Sequence, residues 1–309
     1  MMRALIVDHS APKKLRLGDV PDPAPTPHQA LVAVAAISLN FGDLVDNVAN
    51  AVDGTVPGWE AAGIVRAAAR DGSGPAEGTP VATFGWTGGW AELRAVDTAL
   101  LSRAPSGADL GAMATIPVAG VSALAALDRI GPTLGRRILV TGASGGVGRY
   151  ALQLARLGGA FVIAATSDAA RHGDALRALG AHEVRQSLSG VAPVDGVVDT
   201  VGGRVLIEAF QLLRRDGTLV AVGHVTDEPE IFPVGLLTSR AGQDNRSVHT
   251  FFMPEAADFA HGLEWLCEQV ASGTIDPGIA WRGSWSEADT AVDLLQRRQL
   301  NGKAVLEVR

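Results

Sequence analysis

The sequence predicts an α/β fold, a doubly wound parallel sheet joined to a second, mostly β module. Three observations predict it. The stretch Arg137-Ile-Leu-Val-Thr-Gly-Ala-Ser-Gly-Gly-Val-Gly-Arg149 reads as a buried strand, a glycine-rich turn and the start of a helix. A second apolar strand, Ala160-Phe-Val-Ile-Ala-Ala165, follows at the spacing of a strand–helix–strand unit. The chain ahead of this region is broken instead into short β-like runs and turns.

The elements follow in order. Met1-Met-Arg-Ala-Leu-Ile-Val7 reads as a first strand, and Pro21-Asp-Pro-Ala-Pro-Thr-Pro27 as a turn-rich connector. Leu31–Ile37, Gly63–Val65 and Pro80–Phe84 read as strands, with the loop Asp71-Gly-Ser-Gly-Pro75 between the last two. From Ala114 the texture alternates. A helix over Val121–Ile130 precedes strand 137–141, helix 147–158, strand 160–165 and helix 169–179. Strand Asp195–Asp199, helix 204–214 and strand Gly217–Val222 continue the run. Helices over 258–271 and 287–298 and a strand at Lys303–Val308 return to complete the first module. The expected division is therefore 1–113 with 251–309, and 114–250.

Bulk properties narrow the function. A chain of 309 residues with 47% apolar residues holds about two domains with real cores. The net charge of −7 argues against a general nucleic-acid binder. One cysteine, Cys267, excludes an internal disulfide and a multi-cysteine zinc site. The longest apolar run, Leu31 to Leu39, is far short of a membrane span. The N-terminus lacks the charged region, apolar run and cleavage site of a signal peptide, so a cytoplasmic protein is expected.

In the glycine turn, Ala143, Gly145 and Gly148 fit the dinucleotide pattern G/A-x-G-x-x-G. The first small residue permits the tight turn, the second lets backbone N–H groups approach a pyrophosphate, and the third lets the helix pack close to the strand. After the second strand, an enzyme using NADH places an acidic residue for the ribose 2′-hydroxyl. Here Thr166, Ser167 and Arg171 stand there instead, which suits the 2′-phosphate of NADPH. Asp168 among them works against a phosphate.

A competing pattern exists. Gly142-Ala-Ser144-Gly-Gly146 also fits the nucleophile elbow G-x-S-x-G, and Asp199 and His224 follow in the order Ser, Asp, His. The third glycine, Gly148, and the two-strand spacing favour phosphate binding over a serine hydrolase.

Several further motifs occur in one order: Asn40-Phe-Gly-Asp43, Pro57-Gly-Trp-Glu-Ala-Ala-Gly-Ile-Val65, Gly88-Gly-Trp-Ala-Glu92, the glycine turn, Leu179-Gly-Ala181, Asp199-Thr-Val-Gly-Gly203 and Gly302-Lys-Ala-Val-Leu306. Together they resemble the medium-chain dehydrogenase/reductase superfamily, in its zinc-free quinone oxidoreductase branch, over essentially the whole chain. The resemblance implies a GroES-like catalytic module beside the Rossmann domain. It also implies hydride transfer from NADPH to a quinone or to the activated C=C bond of an enone. Zinc relatives carry His where Trp59 stands and Cys near Asn40–Asp43; neither is present here, so no metal is expected. The family's usual Tyr between Asp43 and Pro57 is also missing.

The resemblance places Asn40 and Asp43 beside nicotinamide and substrate. The alternative is that both cap the following helix. For the cofactor it implies Ala143, Ser144, Gly145, Gly146, Val147, Thr166, Ser167, Arg171, Val201, Gly223, Phe251 and Asn301. Glu60 reads as architecture, His224 as a solvated loop residue or a proton donor, and His172 and His182 as surface residues. Six tryptophans against one tyrosine suit either core packing or an aromatic-lined pocket for an apolar substrate. The family also implies a C2 homodimer through the segment 236–252. A carbonyl reductase tailoring a natural product, and a non-catalytic NADPH-binding protein, are the alternative functions.

Overall fold

The computed structural model describes residues 1–238, 242–250, 253 and 259–308. The strands are β1 (Met2–Val7), β2 (Leu15–Val20), β3 (Gln29–Leu39), β4 (Glu60–Ala67), β5 (Pro80–Phe84), β6 (Leu93–Asp97) and β7 (Leu101–Arg103), followed by helix α1 (Leu110–Ala114). Next come α2 (Val121–Ile130), β8 (Arg137–Val140), α3 (Gly146–Leu157), β9 (Phe161–Ala165), α4 (Ala169–Ala178) and β10 (Glu183–Arg185). Then follow β11 (Val194–Asp199), α5 (Gly203–Gln211), β12 (Leu213–Ala221) and β13 (Ser247–Thr250). The chain closes with α6 (Phe259–Ala271), β14 (Ile279–Ser284), α7 (Ala288–Gln296) and β15 (Lys303–Glu307). Two compact units result, Met1–Val121 with Ala257–Arg309, and Ser122–Ala256.

In the first unit β3 is the spine. It pairs antiparallel with β4, β6 and β15, within the order β14-β15-β3-β4-β5-β7. Alternate residues Ala30, Val32, Val34 and Ala36 are buried, the period-two pattern of a strand with one core face. Trp90 and Trp285 fill the core beside Ile37, Leu39 and Leu306. The register Ala304↔Leu39 through Glu307↔Ala36, carried one step further, sets Lys303 opposite Asn40. The units divide at 121/122 rather than at the 113/114 boundary expected from texture. The reason is that α1 packs on β3, β4 and β5, and the turn at 116–120 packs on β5.

The second unit is a six-stranded, wholly parallel sheet of order β10-β9-β8-β11-β12-β13. The order reverses between β8 and β11, and such a switch point is where doubly wound sheets bind ligands. Ile138, Leu139, Val140, Val162, Ile163 and Val197 are fully buried, as expected for strands covered on both faces. α5 ends earlier than its apolar pattern suggests. β12 begins at Leu213, makes a register shift before Thr218, and turns through Asp216 at φ +60. The chain over 247–250 joins this sheet as its sixth strand, in parallel with β12.

Candidate active site

The glycine turn in the second unit is built by close approach. Gly142 sits at φ +59. A Cβ on Gly148 would lie 2.4 Å from Gly142 O and 2.7 Å from Ala143 Cα, so only glycine lets α3 start this near the turn. Gly145 is the N-cap of α3 and brings no side-chain cap, which leaves the first-turn amides of Gly146 and Val147 to an anion. Ala143 is fully buried, whereas Ser144 is half-buried with Oγ 3.2 Å from Thr166 Oγ1.

Beneath the turn, buried Asp199 accepts from Thr141 Oγ1 at 2.6 Å and from Gly202 N at 2.9 Å. Burial holds its carboxyl above the usual range, against these hydrogen bonds. Thr200 N donates to Thr141 Oγ1, and Thr200 Oγ1 to Thr141 O. This lattice ties the end of β8 to the end of β11. Val201 follows it half-buried, and Gly223 is exposed after β12.

At the end of β9, Thr166 is buried while Ser167 and Arg171 are exposed. Asp168 is the N-cap of α4, its Oδ1 accepting from Arg171 N at 2.9 Å. Its charge is spent on the helix terminus. His172 is buried, not on the surface; burial, then the Arg171 charge, lowers its basicity. His182 is exposed, its Nδ1 accepting from Val162 N. Asn301 belongs to the first unit, and Phe251 lies outside the described residues.

The hydrolase pattern does not assemble into a relay. Ser144 meets Thr166, Asp199 meets Thr141, and His224 Nε2 lies 3.1 Å from Glu228 O and 3.6 Å from Glu230.

The first unit holds a buried ionic cluster around Asn40. Lys303 Nζ donates to Asn40 Oδ1 at 2.6 Å, Glu60 Oε1 at 2.7 Å and Leu39 O at 3.1 Å. Asn40 Nδ2 donates to Glu60 Oε1 at 2.8 Å and to Asp43 Oδ2 at 3.1 Å. Asp43 Oδ2 also accepts from Asn40 N, the returning half of a capping box, and Oδ1 accepts from Trp59 N. Glu60 Oε2 accepts from Val118 N at 2.8 Å. Arg94 lies beside the cluster, donating to Trp59 O at 2.9 Å and Thr83 Oγ1 at 2.8 Å. Asp43, Glu60, Lys303 and Arg94 are buried, and Asn40 alone of the five is half-exposed.

Burial, with the Glu60 charge next, pushes Asp43 up to about 7, and burial pulls Arg94 down to about 10. Sequence alone does not single out Lys303 or Arg94 as site residues. Lys303 lies in the motif Gly302–Leu306, but what unites it with Asn40 is the strand register, which the linear order of residues does not carry.

The Trp59 ring rests on Gly42, where a Cβ would come within 2.4 Å of it. Indole carbon offers no ligand in the position where zinc relatives carry His. Among the described residues no group of three or more His, Cys, Asp or Glu is placed to hold a metal ion. No helix among them is long and apolar enough to cross a membrane.

Comparison with known proteins agrees with this architecture. The alcohol dehydrogenase GroES-like domain family matches residues 26–106, and the zinc-binding dehydrogenase family matches residues 146–268. A probable quinone oxidoreductase of Schizosaccharomyces pombe is 26% identical, over 92% of this chain and 90% of that protein. Erythronolide synthase EryA2 of Saccharopolyspora erythraea is 32% identical over 92% of this chain, which spans only 8% of that protein's length. The solved structure of the quinone oxidoreductase from Coxiella burnetii superposes with a TM-score of 0.85 at 27% identity, over 100% of this chain and 99% of that one. Fold and motifs thus define an oxidoreductase architecture built on a nicotinamide-binding sheet. The chain belongs to the medium-chain dehydrogenase/reductase superfamily, in its quinone oxidoreductase-like branch.

Proposed function

We propose that this chain is a zinc-independent, NADPH-dependent oxidoreductase that reduces a quinone or the activated C=C bond of an enone. The observation that carries the cofactor choice is the end of β9. It presents Ser167 and Arg171 beside buried Thr166, while Asp168, the one carboxylate among them, caps α4. The amides of Gly146 and Val147 would hold the pyrophosphate, with Ala143, Ser144 and Gly145 shaping the turn. Val201, Gly223, Phe251 and Asn301 complete the proposed cofactor set. NADPH, when bound, supplies the hydride.

Asn40 and Asp43 are assigned to the substrate side. Both hydrogens of Asn40 Nδ2 already have carboxylate acceptors, so Asn40 acts from an orientation that Lys303, Glu60 and Asp43 enforce. Donating to an enolate oxygen would require it to release one of those acceptors. Independence of zinc rests on Trp59 and Gly42.

A second reading, reduction during assembly or tailoring of a natural product, is favoured by the likeness to EryA2. An anaerobic panel of quinones, enones and ketones tests both readings, alongside titration with NADPH and NADH and metal analysis. Tighter binding of NADPH, its oxidation by a quinone or enone, and no stoichiometric zinc are the expected results. Oxidation by simple ketones alone would favour the tailoring reading, and NADPH binding with no oxidation would leave a cofactor-binding protein. One tightly held zinc per chain would overturn the metal assignment.

A further inference from the structure

Four of the six tryptophans separate into two kinds. Trp90 and Trp285 are 0% and 1% exposed and belong to the core. Trp59 is half-buried and Trp86 is 46% exposed, and the two rings meet edge to face, with centroids 6.0 Å apart and planes at 88°. Phe84 buttresses Trp86 at 5.3 Å and 80°. The backbone carrying these rings is held at three points by polar side chains. Asp43 Oδ1 accepts from Trp59 N at 2.9 Å, Arg94 Nη2 donates to Trp59 O at 2.9 Å, and Asn47 Nδ2 donates to Trp86 O at 2.8 Å. Gly42 beneath Trp59 removes the side chain that would lift its ring. Buried Asp43 and Arg94 fix the backbone of Trp59, Asn47 fixes that of Trp86, and an exposed indole held in place in this way calls for an explanation.

We propose that Trp59 and Trp86 form an aromatic platform that binds the flat, electron-poor ring of a quinone and selects it over open-chain enones. This deepens the reductase reading and rests on it. Indole faces are electron-rich, so an electron-poor ring stacks on them favourably, and a perpendicular pair offers one face for stacking and a second for the ring edge. The charged groups of the frame, Asp43 and Arg94, are buried and turned to the backbone, so the platform presents π surface rather than charge. It also supplies an aromatic wall in a chain that lacks tyrosine between Asp43 and Pro57.

The test uses the whole chain and 2-methyl-1,4-naphthoquinone, first without cofactor. Its saturable quenching of tryptophan fluorescence should weaken by about tenfold in dissociation constant in Trp86→Leu, and Trp86→Phe should restore most of the affinity. In turnover, the ratio of KM for the naphthoquinone to KM for methyl vinyl ketone should rise by a similar factor in Trp86→Leu. An unchanged ratio and an unchanged dissociation constant overturn the platform while leaving the reductase reading intact. If the native chain oxidises NADPH with neither acceptor, the reductase reading fails, and the quenching titration still decides the platform. Quenching lost on Trp86→Leu supports it; quenching absent from the native chain, or indifferent to the substitution, overturns it.

Discussion

Lys303 and Glu60 face each other at 2.7 Å with 3% and 0% of their side chains exposed. They open β15 and β4, the strands that flank β3, so their contact spans the end of the spine strand. Neither ion reaches water; each bonds the other and Asn40, and beyond that, among the described residues, Lys303 has only Leu39 O and Glu60 only Val118 N.

Lys303→Met should therefore lower stability by about 3–5 kcal/mol, the cost of leaving a buried carboxylate without its counter-ion. Adding Glu60→Gln should recover part of that loss rather than add to it. Urea unfolding of the two single variants and the double variant measures the coupling; additive losses would mean that the two charges do not depend on each other.

Asp43 carries the pH dependence of the cluster. Its carboxyl is raised from 3.8 in the unfolded chain to about 7 in the fold, chiefly by burial. The folded state then holds the proton more tightly, so this group's contribution to stability falls as pH rises from about 4 to about 7 and is level above that. Asp43→Asn should flatten that decline relative to the native chain, as read by urea unfolding at pH 5 and pH 8. The same substitution should also cost stability at both pH values. Asp43 accepts three N–H bonds on two oxygens, whereas an amide offers one oxygen and sets its own N–H groups against donors.

Arg171 tests the cofactor. Arg171→Ala should raise the NADPH dissociation constant by about tenfold, one exposed charge-assisted contact, and leave that of NADH unchanged. Equal weakening of both would place Arg171 in general packing.

Cys267 is fully buried in α6, and burial, then the charges of Glu264 and Glu268, push its thiol up to about 12. It should resist a thiol reagent such as dithiobis(nitrobenzoate) at pH 8 and react fully in denaturing urea. Rapid labelling of the native chain would contradict that burial.

β13 carries the assembly prediction. It pairs with β12 along one edge, and Val248 is 40% exposed. An exposed edge strand of this kind, with its outer backbone N–H and C=O groups unpaired among the described residues of the sheet, is a site for pairing across a two-fold axis. Light scattering at micromolar concentration should give twice 31.9 kDa; the monomer mass would exclude the dimer.

The second unit was legible because its signals are local. Arg137–Arg149 encodes strand, turn and helix within one short window, and the apolar run at 160–165 fixes the next strand. The end of α5 was less so, because Leu212 and Leu213 continue an apolar helical pattern while Leu213 is recruited into β12 beside Val194. The cluster around Asn40 was half-legible. Asn40 and Asp43 stood out as polar residues in one short motif, but the pairing that brings Lys303 to them spans nearly the whole chain. His172 reads as a surface residue because Arg171 and Asp174 stand close to it in sequence, but it shares the buried face of α4 with Gly173 and Leu176.

The first unit is discontinuous, and that has a consequence for biosynthesis. A ribosome delivers Ser122–Ala256 as one uninterrupted stretch, able to condense as it emerges. Residues 1–121 must wait, with the Ala36–Leu39 end of β3 unpaired on one side and Glu60 and Asn40 lacking Lys303, until β15 leaves the exit tunnel. Translation order alone thus makes β15 the closing piece of this unit, and its first residue brings the missing cation.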